Sequence, residues 1–175
     1  NGIPALLEAA RLLNGWRVHL VGGPGHEVEA VRAAAGFDTN VVCHGQVPHC
    51  EVPRYLWHAD VLALPLSDHH PHRLWASPVK LGEYLASRRP VVCSSVPALQ
   101  ALVDEPAVRW CAPDDGGSLA AAATAALGAP QPAGRLEAVE TFVGRHTYAG
   151  RAEVVLELLG LTTCAASEDA TTEAA

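Results

Sequence analysis

Apolar positions along the chain alternate between two spacings, one typical of helices and one typical of buried strands. Residues 3–13 (IPALLEAARLL) carry apolar side chains every three or four positions, as an amphipathic helix does. Short apolar runs such as 60–66 (DVLALPL) and 90–95 (PVVCSS) instead indicate strands buried on both faces. The pattern predicts strands at 16–21, 41–44, 60–66, 90–95 and 108–111, and helices at 3–13, 26–35, 51–58, 79–88, 97–103, 118–127, 135–144 and 147–160.

Strands that alternate with helices form parallel sheets through right-handed crossovers. The predicted fold class is therefore α/β, a Rossmann-like doubly wound parallel sheet with helices on both faces. Ligands of such sheets bind beyond the carboxyl ends of the strands, which directs attention to the loops after each strand. We assign residues 1–161 to one domain and expect the small, polar tail 162–175 to be disordered.

Composition and charge narrow the class of protein. The 175 residues are 49% hydrophobic and 18% charged, as in a globular domain. The net charge of −7 argues against nucleic acid or an anionic membrane as the main partner, because a basic surface binds both. No apolar run approaches the ~20 residues that cross a bilayer. Five cysteines without CxxC spacing predict reduced thiols and a cytoplasmic location.

The most specific feature of the sequence is the segment 77–99 (SPVKLGEYLASRRPVVCSSVPAL). Its Ser-Pro-x-Lys turn, its Glu-Tyr pair and the basic-Pro-Val-Val strand that follows resemble the donor-site signature of group 1 (family 4) retaining glycosyltransferases of the GT-B fold. The stretches NGIPALLEAARLL, WRVHLVGG, VVCHGQV and EVPRYLWHADVLALP come in that family's order. The resemblance covers about residues 1–127, and weakly 135–160, and implies the C-terminal, donor-binding half of such an enzyme.

The helix predicted to begin near Val79 has a start that suits a bound diphosphate. Ser77 can cap the helix, and Pro78 fits its first turn without wasting a hydrogen bond. Free N–H groups around Val79, Lys80 and Leu81, together with the helix dipole, favour an anion. A lysine in the first turn of a helix is unfavourable for the helix dipole, so we favour a phosphate contact for Lys80. The alternative is a solvated surface lysine.

Glu83 lies one turn further along the same helix. In the family, the acid at this position accepts hydrogen bonds from the ribose hydroxyls of the donor, and a carboxylate offers only acceptors to a pair of O–H donors. The alternative is an ordinary helix acid paired with Arg73 or Arg88. Trp75 stands where many relatives carry a second acid that contacts the transferred sugar, so the hydroxyl contacts of the sugar stay unassigned.

Three further stretches are candidate parts of the site. The resemblance places Gly45 and Val47 at the nucleobase pocket. Gly22 and Gly23 follow a strand and would let the backbone approach a ligand closely, or would form a plain β–α turn.

The third stretch is a histidine-rich loop, with His69, His70 and His72 beside Asp68. The resemblance places this loop near the sugar and the phosphates of the donor. Histidines and an acid could also bind zinc, but adjacent histidines converge poorly on one ion, so we favour a polar ligand loop over a metal site.

The resemblance implies transfer of a sugar, of hexosyl type, from a nucleoside diphosphate sugar to an acceptor, with retention of the anomeric configuration. It implies no metal and no cofactor. The expected partners are the nucleotide sugar and an N-terminal acceptor domain that this sequence does not contain; nucleic acid is not expected, and a membrane only through that domain. The sequence contains no methionine, so we expect Asn1 to be an interior residue, a first strand to lie upstream, and the chain alone to be inactive.

Two other interpretations remain open at this stage. One is a fragment of a GT-B nucleotide-sugar epimerase, which would need catalytic acids or a histidine facing C2 of the sugar. The other is a non-catalytic Rossmann-like binding domain. Binding of a nucleotide that depends on Glu83 would favour the transferase half.

Overall fold

A computed structural model describes residues 2–36, 40–69, 74, 79–103 and 106–161. Within these ranges it contains every strand and helix that the apolar pattern predicts, with ends that differ by a few residues. The strands are β1 (Val18–Val21), β2 (Val41–Gly45), β3 (Leu62–Leu64), β4 (Val91–Ser94) and β5 (Arg109–Cys111). The helices are α1 (Ile3–Leu12), α2 (Gly25–Ala35), α3 (Val52–His58), α4 (Val79–Ala86), α5 (Pro97–Gln100), α6 (Gly116–Gly128), α7 (Arg135–His146) and α8 (Tyr148–Leu158).

All strand pairing is parallel, but the strands form two sheets where the sequence predicted one. One sheet pairs β1 with β2, and the other has the order β3–β4–β5. In the described parts of the chain, no pairing joins β1 to β3. In a doubly wound sheet of strand order 3-2-1-4-5-6, the first strand lies between the second strand and the fourth. The pair β2–β1 and the order β3–β4–β5 correspond to the two sides of such a sheet.

Strand β4 is buried on both faces, as its continuous apolar sequence predicts. Val91 and Cys93 pack with Leu62 and Leu64 of β3 in a cluster that α4, α5 and α7 complete. Val92 points the other way and packs in a second cluster, built mainly from α1 and α6. All four residues of β4 are at most 2% exposed. The fold therefore has helices on both faces of its sheet, and the α/β prediction is confirmed.

Helix α1 covers both sheets on one side. Leu6, Ala9 and Leu13 form a cluster with Val92, and Val18, Leu20, Val61 and Ala63 pack against it. The helix begins close to the carboxyl end of β3. Gly2 lies so near Pro65, which follows β3, that a Cβ on Gly2 would clash with the backbone carbonyl of Pro65. At the other end, the side-chain amide of Asn40 donates to the carbonyls of Ala10, Leu13 and Trp16 at 3.0–3.1 Å, just ahead of β2.

The chain divides into two compact units, Asn1–Val143 and Gly144–Ala175. The first contains both sheets and α1 to α6. In the second, Thr147 caps α8 by accepting a hydrogen bond from the Gly150 N–H at 3.0 Å. The assignment of 1–161 to one domain stays a prediction, and the tail 162–175 lies outside the described residues. None of the described helices has the length and apolar character to span a membrane.

Three of the cysteines lie on strands, as predicted. Cys43 is in β2, and the fully buried Cys93 and Cys111 are in β4 and β5. These three and the exposed Cys50 are free thiols. Burial and, to a smaller extent, the nearby Cys111 raise the pKa of Cys93 to about 12. This thiol therefore behaves as an apolar core group.

Candidate functional site

Glycine turns at the ends of β1 and β2 come together at one edge of the sheet. The Gly22 N–H donates to the Gly45 carbonyl at 2.7 Å. Gly22, Gly23 and Gly45 have φ angles of +103°, +91° and +70°, a region that favours glycine over every residue with a Cβ. Val47, two residues after Gly45, is half-buried. The structure thus brings together two of the stretches that the sequence indicated, Gly22–Gly23 and Gly45. Where they meet, the residues are glycines and carry no side chains.

The loop after β3 is held by Asp114, which follows β5. Oδ2 of Asp114 accepts hydrogen bonds from the Ser67 hydroxyl at 3.0 Å and from the Asp68 N–H at 2.9 Å. Ser67 Oγ in turn accepts from the His69 N–H at 3.2 Å. Desolvation acts to raise the pKa of Asp114, but the hydrogen bonds from Ser67 and Asp68 outweigh it, so this pKa lies below its usual value. Asp114 remains an acceptor at neutral pH and fixes the start of the histidine-rich loop.

Sequence reasoning missed Asp114. Its φ is +55°, which is uncommon for a residue other than glycine and tolerated best by Asp and Asn. The only local signal was the run PDDG at 113–116, which indicates a turn but names no partner. The partner, Ser67, is 47 positions away.

Helix α4 begins at the carboxyl edge of the β3–β4–β5 sheet. It connects β3 to β4, which are parallel, so it runs antiparallel to them and starts at their carboxyl ends. Val79 is 68% exposed and Lys80 is also exposed, so the first two residues of α4 face solvent. Leu81 and Leu85, on the opposite side, are at most 1% exposed in the core. The Leu81 side chain therefore packs in the core, and only its backbone could reach a ligand.

Glu83 lies three residues after Lys80, on the same side of α4, and is half-buried. Burial raises the pKa of its neighbour Tyr84, and the charge of Glu83 raises it further. Arg88, a possible partner of Glu83, instead pairs with Glu140 at 3.0 Å. Arg73, Ser77 and Pro78 lie outside the described residues.

Two histidines on neighbouring strands contact each other. His44, at the end of β2, shares a hydrogen bond with His19 of β1, with 2.8 Å between Nε2 and Nδ1, and Tyr55 contacts His44 edge-on. No group of three metal-ligating side chains occurs within the ranges that the structure describes. His69 is exposed, whereas His70 and His72 lie outside those ranges.

Comparison with known proteins identifies the fold. The family model described as glycosyl transferases group 1 matches residues 1–128. A search of curated proteins gave no match. A sucrose-phosphate synthase from Thermosynechococcus elongatus has a TM-score of 0.70 and 22% identity over 92% of this chain and 43% of that one. Anabaena HepE in complex with UDP and glucose has a TM-score of 0.70 and 15% identity over 90% and 44%. OtsA without ligand has a TM-score of 0.61 and 17% identity over 90% and 39%.

The chain spans less than half the length of each of these proteins. Its architecture matches the Rossmann-like C-terminal half of GT-B glycosyltransferases. The family model covers nearly three quarters of the chain, including β1 to β5, α4 and every candidate site residue. The chain therefore belongs to the glycosyl transferases group 1 family.

Proposed function

We propose that this chain binds a nucleoside diphosphate sugar and acts as the donor half of a retaining, family 4 glycosyltransferase of hexosyl type. In this proposal the acceptor binds to an N-terminal domain outside the sequence. The observation that carries it is the exposed amino end of α4 at the carboxyl edge of the sheet, with Lys80 and Glu83 on one side of the helix. The chain's membership of the glycosyl transferases group 1 family supports it.

The diphosphate is assigned to the start of α4. An eight-residue helix leaves its first N–H groups without intrahelical partners, and its dipole adds partial positive charge there. Lys80 supplies a full positive charge beside them. As the bond from the anomeric carbon to the diphosphate breaks, negative charge grows on the phosphate oxygens. The helix start and Lys80 stabilise that charge without having to reorganise.

The ribose is assigned to Glu83. Among the described residues no ion pair of this carboxylate is formed, and Arg88 pairs with Glu140 instead. It is half-buried, so hydrogen bonds from two ribose hydroxyls would be partly shielded from water and stronger than at a fully exposed site.

The nucleobase is assigned to the two glycine turns, where Gly22 and Gly45 meet. Bare backbone at this point lets a flat ring come close to N–H and carbonyl groups. HepE, one of the structurally similar proteins, was solved with UDP and with UDP-glucose. We therefore choose UDP as the first nucleotide to test.

Binding of UDP, GDP and ADP to the 175-residue chain, measured by saturation-transfer NMR and calorimetry, tests the proposal. We expect millimolar or tighter binding of at least one nucleotide. Glu83→Gln should weaken it roughly 10- to 100-fold, because a charge-assisted hydrogen bond contributes about 1.5–3 kcal/mol. Lys80→Ala should reduce affinity for the diphosphate more than for the matching nucleoside.

Glu140→Gln is the matched control, since Glu140 is another helix acid, but its partner is Arg88. It should leave nucleotide affinity unchanged. If none of the three nucleotides binds, or if Glu83→Gln and Glu140→Gln affect binding equally, the assignment of Glu83 to the ribose fails. The chain alone should not transfer sugar, and a radiolabelled-donor assay checks this.

A further inference from the structure

Beside the edge strand β5 lies a cavity that contains none of the candidate donor-site residues. Its volume is about 640 Å³, within the range of roughly 300–1,000 Å³ that small-molecule sites occupy. One wall is formed by β5 and the residues before it. The other wall is the part of α6 that carries Ser118, Ala122 and Ala125. These residues follow one another at helical spacing, so they lie on one side of α6.

Arg109 faces this cavity from the sheet. Successive side chains of a strand point to opposite faces. Trp110 packs against the cluster that α4, α5 and α7 complete, whereas Cys111 belongs to the cluster of α1 and α6. Arg109 therefore points to the α6 face, as Cys111 does. Its partner in β4 is Val92, which belongs to the same cluster as Cys111.

The guanidinium of Arg109 has a buried donor without an acceptor. Its Nε is buried and makes no hydrogen bond. Within the described ranges, the Arg109 side chain also forms no ion pair. Nearly all buried polar groups of native proteins are hydrogen-bonded, so an isolated buried N–H of a cation indicates that a partner is missing.

Ser118 gives the cavity a second donor. Its Oγ accepts a hydrogen bond from the Ala112 N–H at 2.9 Å, which leaves the hydroxyl hydrogen available to a ligand. Among the described residues, no carboxylate lines the cavity, and the other lining residues are alanines, prolines, a valine and Trp110. The cavity therefore offers hydrogen-bond donors and one positive charge within largely apolar walls.

We propose that this cavity binds a small carboxylic acid with an apolar body. The two carboxylate oxygens accept hydrogen bonds from Nε and a neighbouring Nη of Arg109, a pairing that matches the planar guanidinium. The Ser118 hydroxyl offers a further hydrogen bond, and the body packs on the alanines of α6. A monoanion suits a single guanidinium better than a phosphate dianion, whose second charge would stay unbalanced. The inference does not depend on nucleotide binding.

A peptide strand added to β5 is a poorer occupant than a small acid. β5 is the last strand in the order β3–β4–β5, but it has only three residues. An edge this short gives a peptide few backbone hydrogen bonds, and natural proteins use short edge strands to prevent such pairing. A second copy of this chain that paired through the same edge would bring two Arg109 cations near each other.

NMR titration of the 175-residue chain with phenylacetate tests the site, and phenylacetamide is the neutral control of nearly the same shape. Phenylacetate should bind at millimolar concentration and shift the Nε–H signal of Arg109 and the amide signals of Trp110 and Ala122. Phenylacetamide should bind roughly tenfold more weakly, because it lacks the charge-assisted pair. Arg109→Met should reduce phenylacetate affinity to that of the amide. Absence of phenylacetate binding, or equal binding of the two probes, would overturn the proposal.

The stability of Arg109→Met distinguishes a ligand site from a structural arginine. Loss of an unpaired buried donor should leave the thermal midpoint unchanged or raise it, whereas a lower midpoint would show that Arg109 has an internal partner and would contradict the proposal. Asp104 and Glu105 lie close in sequence but outside the described residues. Replacing them together, Asp104→Asn with Glu105→Gln, should leave phenylacetate affinity unchanged. A rise of roughly tenfold would show that one of these acids pairs with Arg109, and the proposed ligand would be wrong. Tighter binding of acetyl-Val-Glu-Val-amide than of phenylacetate would instead make the occupant a peptide.

Discussion

Single residues shape the carboxyl edge of the sheet through contacts that span long stretches of sequence. Asp114 holds the turn at Ser67 and Asp68 across 47 positions, and His19 meets His44 across 25. The ring nitrogens of the two histidines are 2.8 Å apart, so one ring must donate a proton that the other accepts. If both rings were protonated, two N–H groups would face each other.

We expect this pair to make stability sensitive to mild acid. Desolvation, the nearby His44 and the charge of Arg17 all lower the pKa of His19 below 6.5. The unfolded chain then takes up a proton more readily than the folded chain, so the stability contribution is fully present above pH 6.5 and is lost as the pH falls from there through the lower pKa of the folded state. Thermal melts should give a lower midpoint at pH 5.5 than at pH 7.5.

His19→Gln should remove part of that pH dependence, by no more than about 3 °C in the midpoint, because a largely exposed histidine is well screened. Arg17 and His44 are the charged or titratable groups that lower the pKa of His19, and Tyr55 contacts the ring of His44. His26→Gln, at an exposed position of α2, should keep the unaltered pH dependence. An identical slope in both variants would contradict the role given to His19.

At the scale of elements, two features position α4: its apolar face, and the contacts that Arg135 makes just beyond its carboxyl end. Leu81 and Leu85 anchor the helix in the core. After the helix, Arg88 has a φ of +60°, and its carbonyl accepts two hydrogen bonds from the guanidinium of Arg135 at 3.3 and 3.4 Å. Arg135 also donates to the Arg89 carbonyl. A cation at the carboxyl end complements the helix dipole.

Arg135 is only 5% exposed, and removing it should leave the carbonyls of Arg88 and Arg89 without its hydrogen bonds. Arg135→Met should lower the free energy of unfolding by about 2–3 kcal/mol, the cost of orphaned acceptors and a lost charge-assisted bond. Chemical denaturation followed by circular dichroism measures this. Arg32→Met is the matched control, because Arg32 also donates to a carbonyl, that of Cys43, but at an exposed position. Equal losses in the two variants would show that burial of Arg135 is unimportant.

At the scale of the whole molecule, the layer of α1 and α6 holds the two sheets side by side. Gly116 opens α6 where α1 passes closely: a Cβ there would lie 2.5 Å from the Glu8 Cβ and 2.8 Å from the Ala5 carbonyl. The Gly116 N–H also donates to the Glu8 carboxylate at 3.3 Å. The amino end of α6 is thus fitted to α1, more than a hundred positions away in the sequence.

Gly116→Ala should therefore separate α1 from α6 and destabilise the chain by about 1–3 kcal/mol, as overpacking commonly does. Gly128→Ala, at the other end of α6, is the control, since nothing lies within 4 Å of its Cβ position. There alanine should be neutral or stabilise by up to about 1 kcal/mol through helix propensity. Urea denaturation of both variants checks the pair. A Gly116→Ala protein as stable as the control would show that the two helices can separate without cost.

The sequence by itself determined the elements and their order. Apolar spacing is a local property, and it located β4, α1 and α6 because neighbouring residues decide which face of a strand or helix is apolar. The motif around Lys80 and Glu83 indicated one part of the candidate site, and the structure brings two other parts, Gly22 and Gly45, together. The roles assigned to Glu83, Lys80 and the histidine loop remain predictions.

Only the tertiary structure decided how the strands are grouped and which side chains hold the loops. The separation of β1–β2 from β3–β4–β5, the Asp114–Ser67 contact and the close fit of Gly116 to α1 each join residues that are far apart in sequence. Periodicity carries no information about such pairs, because it records the environment of a residue but not the identity of its partner. Partners at long range are chosen by the free energy of packing the whole chain.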